Sequence, residues 1–199
     1  MAEDSMARRL RDRAELHKTL SLVLQRANPE TTGLTYRLVG TGAALAQGVP
    51  LPASDIDILV AQRNDVDTFA AALAEFPCRT SPTWIAEGHQ NFAKFRVEGI
   101  DVEFSTVERP VDTDTFECHG CGPWKHYVNI AIGTYLVPVV RLELRLVSEL
   151  VRNRPDRYMP LISHIRQHGG DLELVHRSMH DRGVDPLLQQ RITDQLQRR

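Results

Sequence analysis

The sequence predicts an α+β fold, a mixed β-sheet flanked by helices and followed by a C-terminal helical bundle. Three observations predict it. Residues 36–106 interleave short β-patterned runs with two helical ones. Two of those runs are joined by Glu98-Gly99, a two-residue spacer with glycine second that marks a hairpin. From Val139 the texture becomes helical, with Val140, Leu142, Leu144, Leu146, Val147, Leu150 and Val151 suited to one buried helix.

The elements follow in order. Residues 3–27 read as a helix, with Ala7, Leu10, Ala14 and Leu20 to Leu24 near a helical period. Asn28-Pro29 ends it, because proline pushes its predecessor out of the α region. Tyr36 to Val39 is a strand running into Gly40-Thr41-Gly42, and Ala43 to Gln47 is a short helix stopped by Gly48-Val49-Pro50. Asp55 to Val60 reads as a strand. Asp65 to Phe76 is an amphipathic helix with Val66, Phe69, Ala70, Leu73 and Ala74 on one face. Thr83 to Ala86 adds a strand, and Asn91 to Val97 with Ile100 to Thr106 forms the hairpin. Leu161, Ile162 and Ile165, then Leu172 to Met179, then Leu187 to Leu196 mark three more helices. The expected division is 1–137, a core with an N-terminal helix, and 138–199, a helical region.

With 199 residues, 42% hydrophobic and 25% charged, the chain is in the globular range. No apolar run approaches the roughly 20 residues of a membrane span, and the N-terminal stretch has no apolar signal region. Cys78, Cys118 and Cys121 cannot all pair. A soluble, cytoplasmic protein is expected. The net charge of −2 is unevenly spread: residues 1–137 carry 13 basic and 18 acidic side chains, residues 138–199 carry 11 and 8. That is no broad nucleic-acid footprint.

The chemistry is concentrated in Leu38-Val39-Gly40-Thr41, thirteen further residues (Gly42 to Ser54), then Asp55-Ile56-Asp57-Ile58. A strand delivers a Gly-Thr turn, where glycine lets backbone amides approach a ligand closely, and amides beside a hydroxyl suit a phosphate. The next strand presents Asp55 and Asp57 on one face, roughly 6–7 Å apart, since side chains at i and i+2 point the same way. Such carboxylates suit hard cations such as Mg²⁺. In Ile100-Asp101-Val102-Glu103-Phe104, Asp101 and Glu103 both lie opposite the apolar positions. Either one completes a three-carboxylate cluster if the hairpin joins the same sheet. Clusters of that kind hold two metals that clamp a phosphoryl or nucleotidyl displacement.

At these residues the sequence resembles the nucleotidyltransferase superfamily of the DNA polymerase β type. The matching pattern is Val39-Gly40-Thr41, the thirteen-residue gap, Asp55-Ile56-Asp57-Ile58, and Ile100-Asp101-Val102 as the third element. Ser54-Asp55-Ile56-Asp57 looks most like small single-domain members, the antibiotic-modifying enzymes and toxin-type relatives. Thr41 stands where Ser or Gly is usual and keeps the hydroxyl. The resemblance covers about residues 35–106 and implies that Asp55, Asp57 and Asp101 bind two Mg²⁺ ions, with Glu103 the rival third acid. It implies that Asp101 helps deprotonate an acceptor hydroxyl, while Gly40, Thr41, Ser54 and Lys94 serve an NTP such as ATP. NMP would pass to a small molecule such as an antibiotic, or to tRNA or protein, with release of pyrophosphate. The alternative is a catalytically degenerate binding module acting through a protein partner. Nucleobase, acceptor and oligomeric state stay open.

Other signals are weaker. Cys118-His119-Gly120-Cys121 with His126 and Cys78 could supply four zinc ligands, though a loop with small buried cysteines is the plainer reading. The pairs His164/His168 and His176/His180 share helix faces and read as solvated or capping residues. Arg152, Arg154 and Arg157 beside Asp156 read as a salt-bridged helix end that could also meet an acidic acceptor or an RNA backbone. Lys94 and Arg96 could neutralise phosphate. Trp84 and Trp124 read as core, with base stacking the sharper option.

Overall fold

The computed structural model describes residues 7–108 and 122–198. Helix α1 (Arg13–Ala27) begins at Arg13 rather than at residue 3, because Asp12 caps it, its side chain accepting the Glu15 N–H. Residues ahead of that cap run along the sheet instead, with the Arg8 N–H donating to Gly99 O and the Leu10 N–H to Ala53 O. After α2 (Pro29–Thr32) come β1 (Tyr36–Val39), α3 (Gly40–Ala46), β2 (Asp55–Val60) and α4 (Arg63–Ala72). Strands β3 (Cys78–Ile85), β4 (Gln90–Val97) and β5 (Ile100–Ser105) follow, then α5 (Gly122–Lys125), β6 (Tyr127–Ile132) and β7 (Tyr135–Val140). Four helices close the chain: α6 (Leu142–Val151), α7 (Pro155–His168), α8 (Leu172–Asp181) and α9 (Pro186–Gln197). Among the described residues, no helix is long and apolar enough to cross a membrane.

The strands form a mixed seven-stranded sheet in the order β3-β4-β5-β2-β1-β7-β6. β2 is antiparallel to β1 and parallel to β5, and β1 is parallel to β7. The expected strands and hairpin are present, with β3 starting earlier than Thr83. β6 and β7 are additional. β7 includes Pro138, which has no N–H for a ladder, and Val140 ends β7 rather than opening a helix. β7 therefore runs across position 137/138, and the helical part begins with α6 at Leu142.

Alternation gives the sheet two unlike faces. One carries Leu38, Ile56, Ile58, Val102, Phe104 and Phe95, which bury against Leu16, Leu20, Val23 and Leu24 of α1 and Val66, Phe69 and Leu73 of α4. Phe69 stacks on Phe104 at 4.5 Å and meets Tyr36 edge-on at 6.2 Å. Such ring pairs stabilise by about 0.5–1.5 kcal/mol beyond their area. The other face carries the charges. Helix α3 joins the two cores of the molecule: Ala43, Leu45 and Ala46 pack into the sheet cluster, while Ala44 packs with α6, α7, α8 and α9. All seven of its residues are buried, so the Gly40-Thr41 turn is fixed from both sides.

Candidate active site

β2 and β5 are parallel neighbours in a register that places Asp55 beside Asp101 and Asp57 beside Glu103. All four carboxylates therefore share the charged face, which meets the condition set for a third acid. The next strand over, β4, places Arg96 opposite Asp101 and Lys94 opposite Glu103. The Arg96 Nε donates to Asp101 Oδ1 at 2.8 Å, and Lys94 Nζ lies 2.5 Å from Glu103 Oε1. Burial pushes the Glu103 carboxyl up, Lys94 pulls it back, and Asp55 and Asp101 push it up again; the result lies above its ordinary value. Burial opposes the Lys94 ammonium, yet Glu103, Asp101 and Asp55 hold it above its usual range.

Gly40 shows why the turn takes glycine. Its φ is +66°, the left-handed region, and a Cβ there would sit 1.9 Å from Asp57 Oδ2. The backbone of the turn thus lies directly against the second carboxylate. Thr41 is buried, and its Oγ1 accepts from Arg157 Nη1 at 3.2 Å. Ser54 is exposed just ahead of Asp55.

Arg157 and its neighbours correct one reading of the sequence. Arg154 does pair with exposed Asp156, at 3.2 Å. Arg152 and Arg157 instead turn inward to Glu149 of α6, each 3.6 Å from Oε1, and Arg145 also pairs with that carboxylate. Burial, then the charges of Arg154, Arg145 and Arg152, lower the Arg157 pKa below its ordinary value. The clue was present in the sequence: Glu143, Arg145, Ser148 and Glu149 interrupt the apolar positions of a buried helix, with Arg145 and Glu149 one turn apart. Charges on a helix buried all round need partners.

Among the described residues, no three His, Cys, Asp or Glu side chains converge closely enough to hold a metal ion. Asp101 and Glu103 are instead engaged by Arg96 and Lys94. The donor set itself fits a hard divalent ion: four carboxylates in two adjacent register pairs, with a glycine leaving room beside Asp57. A metal that used Asp101 or Glu103 as a ligand would displace Arg96 or Lys94 from it.

The four-ligand zinc reading fails on topology. Cys78 lies on β3 and His126 just before β6, the two outer strands of the sheet, about 29 Å apart at 4.8 Å per strand. Cys118 and Cys121 lie outside the described residues. The histidine pairs hold to their plain reading. His168 Nδ1 is 3.0 Å from the His164 carbonyl, and His176 Nε2 is 2.9 Å from Thr193 Oγ1. Trp124 packs against the core beneath Arg37, but Trp84 is 42% exposed under Arg63.

No protein-family model matches the sequence, and no curated protein does. Among solved structures the chain is similar to a candidate nucleotidyltransferase from Thermotoga maritima, with 19% identity and a TM-score of 0.53 over 84% of this chain and 100% of that one. It is also similar to an antigenic nucleotidyltransferase-like protein from Paracoccidioides brasiliensis, with 12% identity and a TM-score of 0.53 over 91% of each chain. At these identities the likeness is one of fold. The mixed sheet with its helices is a nucleotidyltransferase-type fold.

Proposed function

We propose that the chain is a Mg²⁺-dependent nucleotidyltransferase that moves NMP from an NTP to a hydroxyl acceptor. One observation carries the reading. The Gly40-Thr41 turn lies between an acidic sheet face and a guanidinium, with Gly40 against Asp57 and the Thr41 hydroxyl on Arg157. Carboxylates on one side and an arginine on the other suit a metal-bound polyphosphate.

Asp55, Asp57 and Asp101 would hold the ions, with Glu103 as the further acid. When bound, the ions neutralise phosphate charge and support an in-line displacement. Gly40, Thr41 and Ser54 would border the triphosphate, with Arg157 and Lys94 as its cations. The acceptor oxygen bonds to the α-phosphorus, the bond to the bridging oxygen breaks and pyrophosphate leaves. The acceptor proton passes to a carboxylate, for which Asp101 is placed beside Asp55. That placement favours catalysis over a degenerate binding module.

The test is calorimetric titration with each of the four NTPs, with Mg²⁺ and then with EDTA, beside the double variant Asp55→Asn/Asp57→Asn. Metal-dependent binding that the variant loses is the expected result. No binding of any NTP would overturn the reading and turn the search to protein partners.

A further inference from the structure

We propose that Glu149 is the positioning residue for the phosphate side of this site: its buried carboxylate holds the Arg157 guanidinium at Thr41. The inference rests on the proposed function and deepens it. Glu149 has no exposure, and it stands in a helix whose residues Leu142 to Leu150 are all buried. Arg145, one turn earlier and only 2% exposed, already pairs with it. A buried ion pair needs no more than that for neutrality. Arg152, at the end of α6, and Arg157, from α7, nevertheless reach the same oxygen, each at 3.6 Å.

Two details separate this cluster from an ordinary structural bridge. Glu149 Oε2 is buried and accepts no hydrogen bond among the described residues. Arg157 donates to Thr41, and its other N–H groups have no acceptor among the described residues. At 3.6 Å the carboxylate orients Arg157 by charge and leaves its donors available. Those donors lie beside the hydroxyl of the turn that touches Asp57. A cation whose pKa is lowered by burial and by like charges gains from a polyanion in that position.

Two variants test this. Glu149→Gln keeps the shape and removes the charge. Should it fold poorly, Arg145→Met/Glu149→Leu replaces the buried pair with apolar groups, an exchange that proteins tolerate well. The first readout is the ¹⁵N resonance of the Arg157 side chain, assigned through Arg157→Lys. The second is calorimetric affinity for inorganic tripolyphosphate and for the NTPs with Mg²⁺. The wild type should show a slowly exchanging Arg157 signal that both variants lose, with anion affinity about tenfold weaker, the scale of one charge-assisted hydrogen bond. Reduced folded fraction alone would change the number of sites but not the affinity. An Arg157 signal unchanged in a folded variant overturns the inference, as does a lost signal with unchanged affinity. A wild type that binds neither tripolyphosphate nor any NTP overturns the proposed function itself.

Discussion

Gly40→Ala isolates the contact between the turn and the second carboxylate. The new methyl would lie 1.9 Å from Asp57 Oδ2, 2.9 Å from its Cγ and 3.2 Å from its Cβ. Carbon does not approach within 3.0 Å, so the carboxylate oxygen must retreat by more than 1 Å. A misplacement of about 1 Å at a reacting centre can cost about 100-fold in rate. The left-handed φ of +66° adds backbone strain of about 1–2 kcal/mol. Against a typical domain stability of about 5–15 kcal/mol this leaves the chain folded, so activity should fall far more than stability. Gly33→Ala is the control, because its φ is +68° but nothing lies within 4 Å of the added carbon. Urea denaturation should give both variants a similar loss. Pyrophosphate release, measured with the NTP that titration identifies, should fall about 100-fold only in Gly40→Ala. Equal activity in the two variants would show that the Gly40–Asp57 contact plays no part in the site.

Three further predictions concern charge and pH. Lys94→Met leaves Glu103 half-buried without its cation and raises that carboxyl further above its ordinary 4.5. The unfolded chain then ionises first, so stability should fall more steeply than in the wild type as pH rises above 4.5, read from urea midpoints at pH 4 and 7. Glu15 is pulled down to about 2 by the Arg11 N–H and then by the Arg11 and Arg8 side chains. Its contribution is present above its ordinary 4.5 and lost as pH falls toward 2, so Glu15→Gln should remove that part of acid destabilisation in melts between pH 2 and 5. Burial pushes Tyr36 up from 10 to about 12, so the unfolded chain ionises first there too. Stability should drop between pH 10 and 12, and Tyr36→Phe should flatten that slope in alkaline melts.

The parts that were legible in the sequence are those whose local pattern and tertiary role agree. Asp55 to Ile58 and Ile100 to Ser105 alternate polar and apolar, and the Glu98-Gly99 turn joins β4 to β5, so Asp55 with Asp57, and Asp101 with Glu103, each fell on one face of their own strand. The strand order did not follow, because nothing local says that β5 lies parallel to β2. β6 and β7 were not read from the sequence, and β7 contains Pro138, which a strand tolerates where its missing N–H is not needed. Asn129 faces Pro138 across the ladder, while the flanking Arg141 N–H donates to His126 O at 3.1 Å. Bonded and unbonded pairs alternate along an antiparallel ladder, and the proline occupies an unbonded one. Arg157 was hidden for another reason. It is 116 residues from Thr41, and only the packing of α7 against α6 brings it to the turn.

Three of the charged groups proposed for the site are already held by an internal partner of opposite sign: Asp101 by Arg96, Glu103 by Lys94, Arg157 by Glu149. These pairs are largely buried, and leaving either member alone there would be costly. Ligand binding at this site is therefore an exchange of partners. A divalent ion taking Asp101 or Glu103 releases a cation beside the site, which raises the local demand for anions. A triphosphate meets that demand, yet alone it faces the carboxylates of Asp55 and Asp57 on the same sheet face. Each ligand thus removes the obstacle to the other, and by linkage the coupling must be reciprocal. Mg²⁺ should bind more tightly with NTP present, and NTP more tightly with Mg²⁺, by the same factor. Independent binding of the two would mean that Lys94 and Arg96 never release their carboxylates, and that the ion pairs on β4 and β5 are structural.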